Sequence, residues 1–300
     1  KLPYDKTLSE TKIKSSLKIT TQEDNQIIKV LGKGFTLSFD KKSGDLISFK
    51  QKNKEFLKGA LITNFWRPMT DNDRGGGKNH KILKIWKTTL ENRTLNNLNV
   101  THESSTKIRI TSNYQLKNIG KIQMDYIVLG DGTLIVNNNF KVNKGSKLPI
   151  MPKYGMQVAI SKDLDNLTYL GKGPHENYND RQLSADIGLY KESVQKDYYS
   201  YIRPQESTNK TEIRWFSLTD NDGKGIYVSG ISDYLSMSAW PHTSKNIEDA
   251  LHTYDLKKTD FITLNIDHKQ MGVGGEDSWS IKALPHPEFR VPAKDYYYSF

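Results

Sequence analysis

A two-residue alternation of apolar and polar side chains recurs along the chain and limits its fold more than any other feature. Residues 35–39 (Phe-Thr-Leu-Ser-Phe) alternate, residues 40–45 supply a turn that contains Gly44, and apolar residues return at 46–49. Because successive side chains of a strand point to opposite faces, this pattern predicts a hairpin with one buried face.

Similar segments follow, separated by turn signals such as Gly-Asp-Gly at 130–132. Further strands are predicted at 107–111, 122–128, 133–137, 156–160, 225–229, 261–266 and 296–300. Helical periodicity is weak and predicts only short helices, at 78–90 and 246–251. The sequence therefore predicts a large all-β protein of antiparallel strands, with two packed sheets rather than an α/β fold.

The chain is long for one domain, but large all-β domains reach roughly 200–250 residues. Residues 1–16 are polar and lack a clear period, so we expect a linker from a preceding domain there and one β domain over 17–300. No run of about 18 apolar residues occurs, which argues against a membrane partner. Without an initial Met or an apolar leader, the chain is expected to be a mature or excised piece.

The formal net charge of +10 raises nucleic acid as a partner. The lysines are scattered along the chain, however, and no arginine-rich helix or recognition motif accompanies them. We therefore predict a solvated basic surface and no nucleic-acid partner. The absence of cysteine excludes disulfides, thiol catalysis and cysteine-ligated metal sites.

The most unusual loop is Gln-Met-Gly-Val-Gly-Gly-Glu-Asp-Ser-Trp-Ser at 270–280. Three glycines in four positions permit a tight backbone path, and Trp279 follows on the same irregular segment. A tryptophan held on such a loop can stack on the apolar face of a sugar ring. It can equally fill a gap in the core, since large aromatic residues are common in both settings.

A second stretch, 64–77, contains Asp71 and Asp73 on either side of an Asn, followed by three glycines from Gly75. The spacing resembles the start of a calcium loop, but the later ligands are missing, so capping of local turns is the favoured role. Because no Lys-Ser/Thr pair follows the glycines, they indicate a mobile hinge rather than a phosphate loop.

Two further stretches are rich in titratable groups. His175 and Glu176 are a candidate acid/base pair, although neighbours in an extended segment point to opposite faces. Asp180 and Arg181 are consistent with a structural ion pair. His242 and His252 lack zinc-ligand spacing, so packing or surface roles are favoured. No nucleophile elbow, P-loop or HExxH motif occurs, and the residues nominate no pair of glycosidase carboxylates.

Taken together, four segments resemble the C-terminal domain, or separate small chain, of β-galactosidases in glycoside hydrolase family 2. They are Phe-Trp-Arg-Pro-Met-Thr-Asp-Asn-Asp-Arg-Gly (65–75), Gly-Lys-Gly-Pro-His-Glu-Asn-Tyr-Asn-Asp-Arg (171–181), Tyr-Ile-Arg-Pro-Gln-Glu (201–206) and 270–279. The resemblance covers about 17–300. The sequence departs from the family pattern at His268, at Thr-Asn-Lys (208–210) and in the loop after Gly75, which weakens inferences about the exact substrate.

The resemblance implies an antiparallel supersandwich of the galactose-mutarotase-like type. It also implies hydrolysis of terminal β-D-galactosides with retention by an enzyme of which this chain is one part. The catalytic glutamates, magnesium and sodium would then belong to a TIM-barrel domain or large subunit, and this chain would hold no cofactor. Trp279 would serve as a platform for the substrate, and Gly75 would belong to a mobile loop that closes over the bound sugar.

Two alternatives stay open. A free-standing aldose epimerase would need a histidine and a carboxylate facing one sugar, for which His175, His242 and Glu176 are the candidates. A non-catalytic carbohydrate-binding or assembly module would need neither, because a shared fold does not supply the chemistry.

Overall fold

The computed structural model describes residues 15–75, 79–231 and 233–300, and these residues form an all-β protein with a few short helices. The strands are Thr20–Glu23 (β1), Ile27–Gly32 (β2), Phe35–Asp40 (β3), Leu46–Gln51 (β4), Lys54–Glu55 (β5), Ile62–Asn64 (β6), Arg93–Ser104 (β7), Lys107–Leu116 (β8), Gly120–Leu129 (β9), Leu134–Val142 (β10), Lys153–Ser161 (β11), Asn166–Gly173 (β12), Asp186–Ser193 (β13), Lys210–Ile213 (β14), Trp215–Thr219 (β15), Gly225–Ser229 (β16), Leu235–Trp240 (β17), Phe261–Gln270 (β18) and Tyr296–Ser299 (β19). The α-helices are Asp71–Gly75 (α1), Asn79–Thr88 (α2), Val194–Asp197 (α3) and Ser244–Asp249 (α4), and short 3-10 turns lie at Thr253–Asp255, Ile281–Ala283 and Pro287–Phe289.

The pairings between these strands are antiparallel, which confirms the predicted fold class. Hydrogen bonding divides the strands into four sheets, with the orders β1-β2-β3-β4-β5, β19-β10-β9-β8-β7, β14-β17-β18-β11-β6 and β13-β12-β15-β16. The expectation of two sheets was too simple. Sheet membership depends on pairings between distant segments, such as β10 with β19, which local alternation does not encode.

The predicted strands and both predicted helices are present, and β3 and β4 form the predicted hairpin. In β8 every second residue is buried, as one buried face requires. By contrast, all six residues of β17 are buried, although its sequence (Leu-Ser-Met-Ser-Ala-Trp) alternates over the first five positions, and the strand was not predicted.

An aromatic cluster in the core joins the sheets to α2. The rings of Phe65, Phe140 and Tyr154 lie 5.0–5.7 Å apart, and Trp86 of α2 packs 5.5 Å from Phe65. The Trp86 indole nitrogen donates to the Ile150 carbonyl at 2.9 Å, so its one polar atom is satisfied. This packing fixes the segment that leads from β6 towards α1.

Two expectations fall wholly or partly outside the described residues. Apart from Ser15 and Ser16, the linker predicted for 1–16 lies outside the described residues, and so do Gly76 and Gly77 of the predicted hinge. In the described ranges, none of the helices is long and apolar enough to cross a membrane.

Candidate functional site

Trp279 lies on an irregular loop after β18, and 78% of its surface is exposed. Asp277 shapes this loop, because its carboxylate accepts from the backbone nitrogens of Trp279 (3.2 Å) and Ser280 (3.0 Å) and from the Ser280 hydroxyl (2.6 Å). These bonds lower the pKa of Asp277, with the Ser280 hydroxyl as the largest cause. The indole is therefore presented outwards, and the core-filling alternative for Trp279 is wrong.

Gly75, the last residue of α1, lies directly against the Trp279 loop. A Cβ atom at this position would be 2.0 Å from the Ser278 carbonyl oxygen and 3.7 Å from the Trp279 Cα. Asn72 supports the same contact, since its side-chain amide donates to the Asp277 carbonyl at 3.3 Å. The two predicted site residues, 204 positions apart in sequence, thus form one wall, which we call the Trp279 wall (Gly75 with residues 277–280).

Asp180 holds the glycine-rich part of the loop. Its carboxylate accepts from the backbone nitrogens of Val273 (2.8 Å) and Gly274 (2.7 Å), and a Cβ on Gly272 would lie 2.4 Å from the same carboxylate. Only glycine fits at Gly272 without displacing Asp180. The predicted ion pair between Asp180 and Arg181 is wrong, because Asp180 is committed to these backbone amides.

Arg67 anchors the start of the loop from inside the protein. The fully buried guanidinium donates to the carbonyls of Met271 (2.7 Å) and Gly272 (2.9 Å) and pairs with Asp73 at 3.2 Å. Asp73 in turn accepts from the Thr70 backbone nitrogen at 3.0 Å, which confirms the predicted turn-capping role. The sequence reasoning missed Arg67, although it lies inside one of the matched segments.

The 201–206 segment packs against the start of α1 and against Pro68 before it. The Gln205 side chain bonds Asp71 twice, accepting from its backbone nitrogen (3.1 Å) and donating to its carboxylate (2.9 Å). The Glu206 backbone nitrogen donates to the Pro68 carbonyl at 3.3 Å. All four segments that carry the resemblance therefore meet at, or directly behind, the Trp279 wall.

Glu206 is a buried carboxyl group behind this wall. Among the described residues neither of its carboxyl oxygens has a hydrogen-bond partner of good geometry. Burial raises the pKa of Glu206 to about 7, against the opposing influence of the nearby Lys153 and Arg67 charges. Since the side chain is 2% exposed, this group belongs to the protein interior near Arg67 and not to the surface.

Glu176 and His175, the candidate acid/base pair, have separate partners. Glu176 pairs with Arg181, accepts from the Tyr201 hydroxyl, and accepts from the Thr208 backbone nitrogen at 2.7 Å. The His175 ring contacts the Ser184 hydroxyl at 3.0 Å. The carboxylate is thus engaged in holding three segments together, which favours a structural role.

The two later histidines have the packing and surface roles that the sequence favoured. His242 bonds the Lys257 carbonyl at 2.9 Å and packs edge-on to Tyr198 at 4.8 Å, and burial lowers its pKa. His252 stacks on the exposed Tyr254 ring at 4.9 Å. No group of three or more histidine or acidic side chains in the described ranges is placed to hold a metal ion.

The close approach at Gly75 makes a specific prediction about stability. Alanine usually stabilises a helix relative to glycine by about 1 kcal/mol. At Gly75 the added methyl group would collide with the Ser278 carbonyl, so Gly75→Ala should instead lower the free energy of unfolding by about 1–3 kcal/mol. Urea denaturation followed by circular dichroism measures this difference.

Gly274→Ala is the matched control on the partner loop. Its Cβ would meet only an Asp180 carboxylate oxygen, at 3.4 Å, so we expect a change within about 0.5 kcal/mol. A Gly75→Ala variant as stable as the wild type would show that the two segments are not in contact.

Comparison with known proteins agrees with these observations. The family described as beta galactosidase small chain matches residues 31–300. The beta-galactosidase of Priestia megaterium (strain DSM 319 / IMG 1521) is 33% identical over 280 residues, covering 93% of this chain and 26% of the relative. That of Streptococcus thermophilus is 30% identical over 295 residues, covering 98% of this chain and 28% of the relative. The chain thus spans about a quarter of the length of these relatives.

Solved structures resemble the chain only loosely. A galactose 1-epimerase from Lactobacillus acidophilus NCFM overlaps 95% of this chain and 97% of its own, with 8% identity and a TM-score of 0.45. The family match covers most of the chain and includes every segment of the Trp279 wall. On that basis the chain belongs to the beta galactosidase small chain family.

Proposed function

We propose that this chain is the small subunit, or C-terminal part, of a retaining β-galactosidase of glycoside hydrolase family 2. The observation that carries the proposal is the Trp279 wall, in which the backbone of Ser278 and Trp279 lies against Gly75 at the end of a helix while the indole is exposed. An exposed ring fixed in this way is suited to stack on the apolar face of a galactose unit.

The chemistry is assigned to the rest of the enzyme. Retaining glycosidases use two carboxyl groups about 5–5.5 Å apart across the scissile bond. Near the Trp279 wall, Asp180, Asp73 and Glu176 are each occupied by structural contacts. We propose that the catalytic glutamates, with magnesium and sodium, lie on a TIM-barrel domain or large subunit, and that the isolated chain is inactive.

The proposal also covers the role of the loop that begins at Gly75 and the arrangement of the four sheets. The loop that begins at Gly75 would close over the bound sugar, exclude water and organise the transition state. The four antiparallel sheets would form a supersandwich of the galactose-mutarotase-like type, which is supported by one continuous apolar core that draws residues from all four.

Replacing Trp279 in the complete enzyme tests the proposal. Trp279→Ala should raise the KM for lactose and for an aryl galactoside and weaken galactoside selectivity. The loss of an aromatic platform costs roughly 1–3 kcal/mol of binding free energy, by analogy with burial of a large side chain. Steady-state kinetics with both substrates and with matched glucosides measure the effect.

Tyr227→Ala is a suitable control, because Tyr227 is 64% exposed but lies on β16, outside the wall. This substitution should leave the KM for lactose and for the aryl galactoside unchanged. Unchanged kinetics in Trp279→Ala would refute the platform role.

A further inference from the structure

A cavity lies beside α1, the helix that ends at Gly75 of the Trp279 wall. Its volume is about 480 Å³, within the range of about 300–1,000 Å³ that is typical of small-ligand sites. Trp66 and Met69 line it as mostly buried apolar residues, and Arg74, which precedes Gly75, lies on its side. The cavity and the Trp279 wall therefore share helix α1.

Positive charge dominates this cavity. Arg74, Lys84, Lys87 and Arg203 line it, against the two carboxylates of Glu248 and Asp249. Glu248 is already engaged, since it pairs with Lys87 at 2.9 Å and accepts from the Trp66 indole at 2.9 Å. Asp249 pairs with Lys245 outside the cavity. Three basic side chains are thus left in excess.

Two buried polar atoms in the same cavity lack a partner. The Arg74 guanidinium donates from Nη2 to the Glu248 carbonyl at 3.0 Å, but its Nη1 has no hydrogen-bond partner within the described part of the chain. The Nδ1 atom of His80, on α2, is also buried and unpartnered there. Buried polar groups are normally hydrogen-bonded, so each of these two side chains keeps the capacity for one further hydrogen bond. Burial and the charge of Arg203 lower the pKa of Arg74, an effect that an anion would relieve.

We propose that this cavity is an anionic subsite for the substrate, which binds a carboxylate or sulfate group on the sugar unit next to the terminal galactose. The inference rests on the proposed function, because it places this acidic sugar beside a galactose unit stacked on Trp279. Arg74 and His80 would donate to the anion from inside the cavity, and Arg203 would contact it from the exposed rim. Trp66 would supply an apolar surface for the ring.

The cavity fits a sugar better than an acidic side chain of another protein segment. A single Asp or Glu side chain would leave much of the 480 Å³ empty and would make no use of Trp66 or Met69. A sugar with an anionic substituent would use the apolar floor and the basic rim together.

Kinetics of the complete enzyme on substrates that differ only in charge test this proposal. The substrates are lactose, lactose oxidised to a carboxylate at the glucose C6, and lactose sulfated at the same position. The wild type should have a lower KM for at least one acidic substrate than for lactose. Arg203→Gln should raise the KM for that substrate about tenfold, which is the effect of losing one charge-assisted hydrogen bond. The same substitution should change the KM for lactose by less than about twofold.

Lys121→Gln is the control, because it removes one positive charge from an exposed position on β9. It should leave the KM values for neutral and acidic substrates unchanged. Equal hydrolysis of neutral and acidic substrates by the wild type would overturn the subsite alone. An Arg203→Gln variant that is less stable but equally selective would also overturn it, and would indicate that an acidic segment of the enzyme fills the cavity. A wild type that cleaves none of the three would overturn the proposed function as well.

Discussion

Arg67→Leu should lower the free energy of unfolding by about 3–5 kcal/mol, the usual cost of breaking a buried ion pair by removing one partner. The side chain is fully buried, and its loss would leave Asp73 without a counter-charge and the carbonyls of Met271 and Gly272 without a donor. Urea denaturation at pH 7, monitored by circular dichroism, measures the change.

Arg109→Leu provides the comparison for a solvent-accessible ion pair. Arg109 lies on β8 and pairs with Glu103, with both side chains 25–29% exposed, so its removal should cost no more than about 1 kcal/mol. The Arg67 variant should also increase proteolytic cleavage within 270–280, because the loop loses its internal anchor. If the two arginine variants were equally stable, Arg67 would not be the buried anchor of the loop.

The buried carboxyl group of Glu206 should make the protein less stable as the pH rises from 5 to 8. The pKa of Glu206 is about 7 in the folded protein, compared with 4.5 for an ordinary glutamate. Between these values the folded state holds more protons than the unfolded state, so the free energy of unfolding falls with increasing pH. At about 1.4 kcal/mol for each pKa unit, the loss approaches about 3 kcal/mol.

Glu206→Gln removes this contribution while keeping the shape of the side chain. We expect the variant to be more stable than the wild type at pH 8 and to lose less stability between pH 5 and pH 8. Some pH dependence should remain, because burial and Asp197 raise the pKa of Glu192 to about 8. Glu91→Gln, at an exposed position, should follow the wild-type curve. Parallel curves for wild type and Glu206→Gln would mean that Glu206 does not titrate in this range.

The sequence predicted several strands that have one buried face, although it missed others of that kind, such as β12 and β15. The hairpin of β3 and β4 was predicted, because its alternation and its turn both lie within 17 residues. It did not predict β17, which is buried on both faces, nor the division into four sheets. Those features depend on which distant strands pair, and local periodicity holds no information about that choice.

The site shows the same limit. Trp279 and Gly75 could be named from the sequence because the resemblance covers both segments, but their contact could not be derived from residue types. Arg67 is charged, and charged residues are rarely fully buried without a partner. Its partners lie 6 and about 205 positions away, so only the folded chain reveals them. Asp180 was misassigned for the same reason, since its true partners are backbone amides 93 and 94 residues further along.

The way in which the 270–280 loop is held has a consequence for how substrate preference can change. Arg67, Asp180, Asn179 and Asn72 all bind its main chain, at carbonyls or amide nitrogens, and not its side chains. Residues such as Val273, Glu276 and Ser278 can therefore be replaced without removing any of these attachments. The contacts that hold the loop are thus separate from the side chains that it exposes, which makes it a favourable segment for directed evolution.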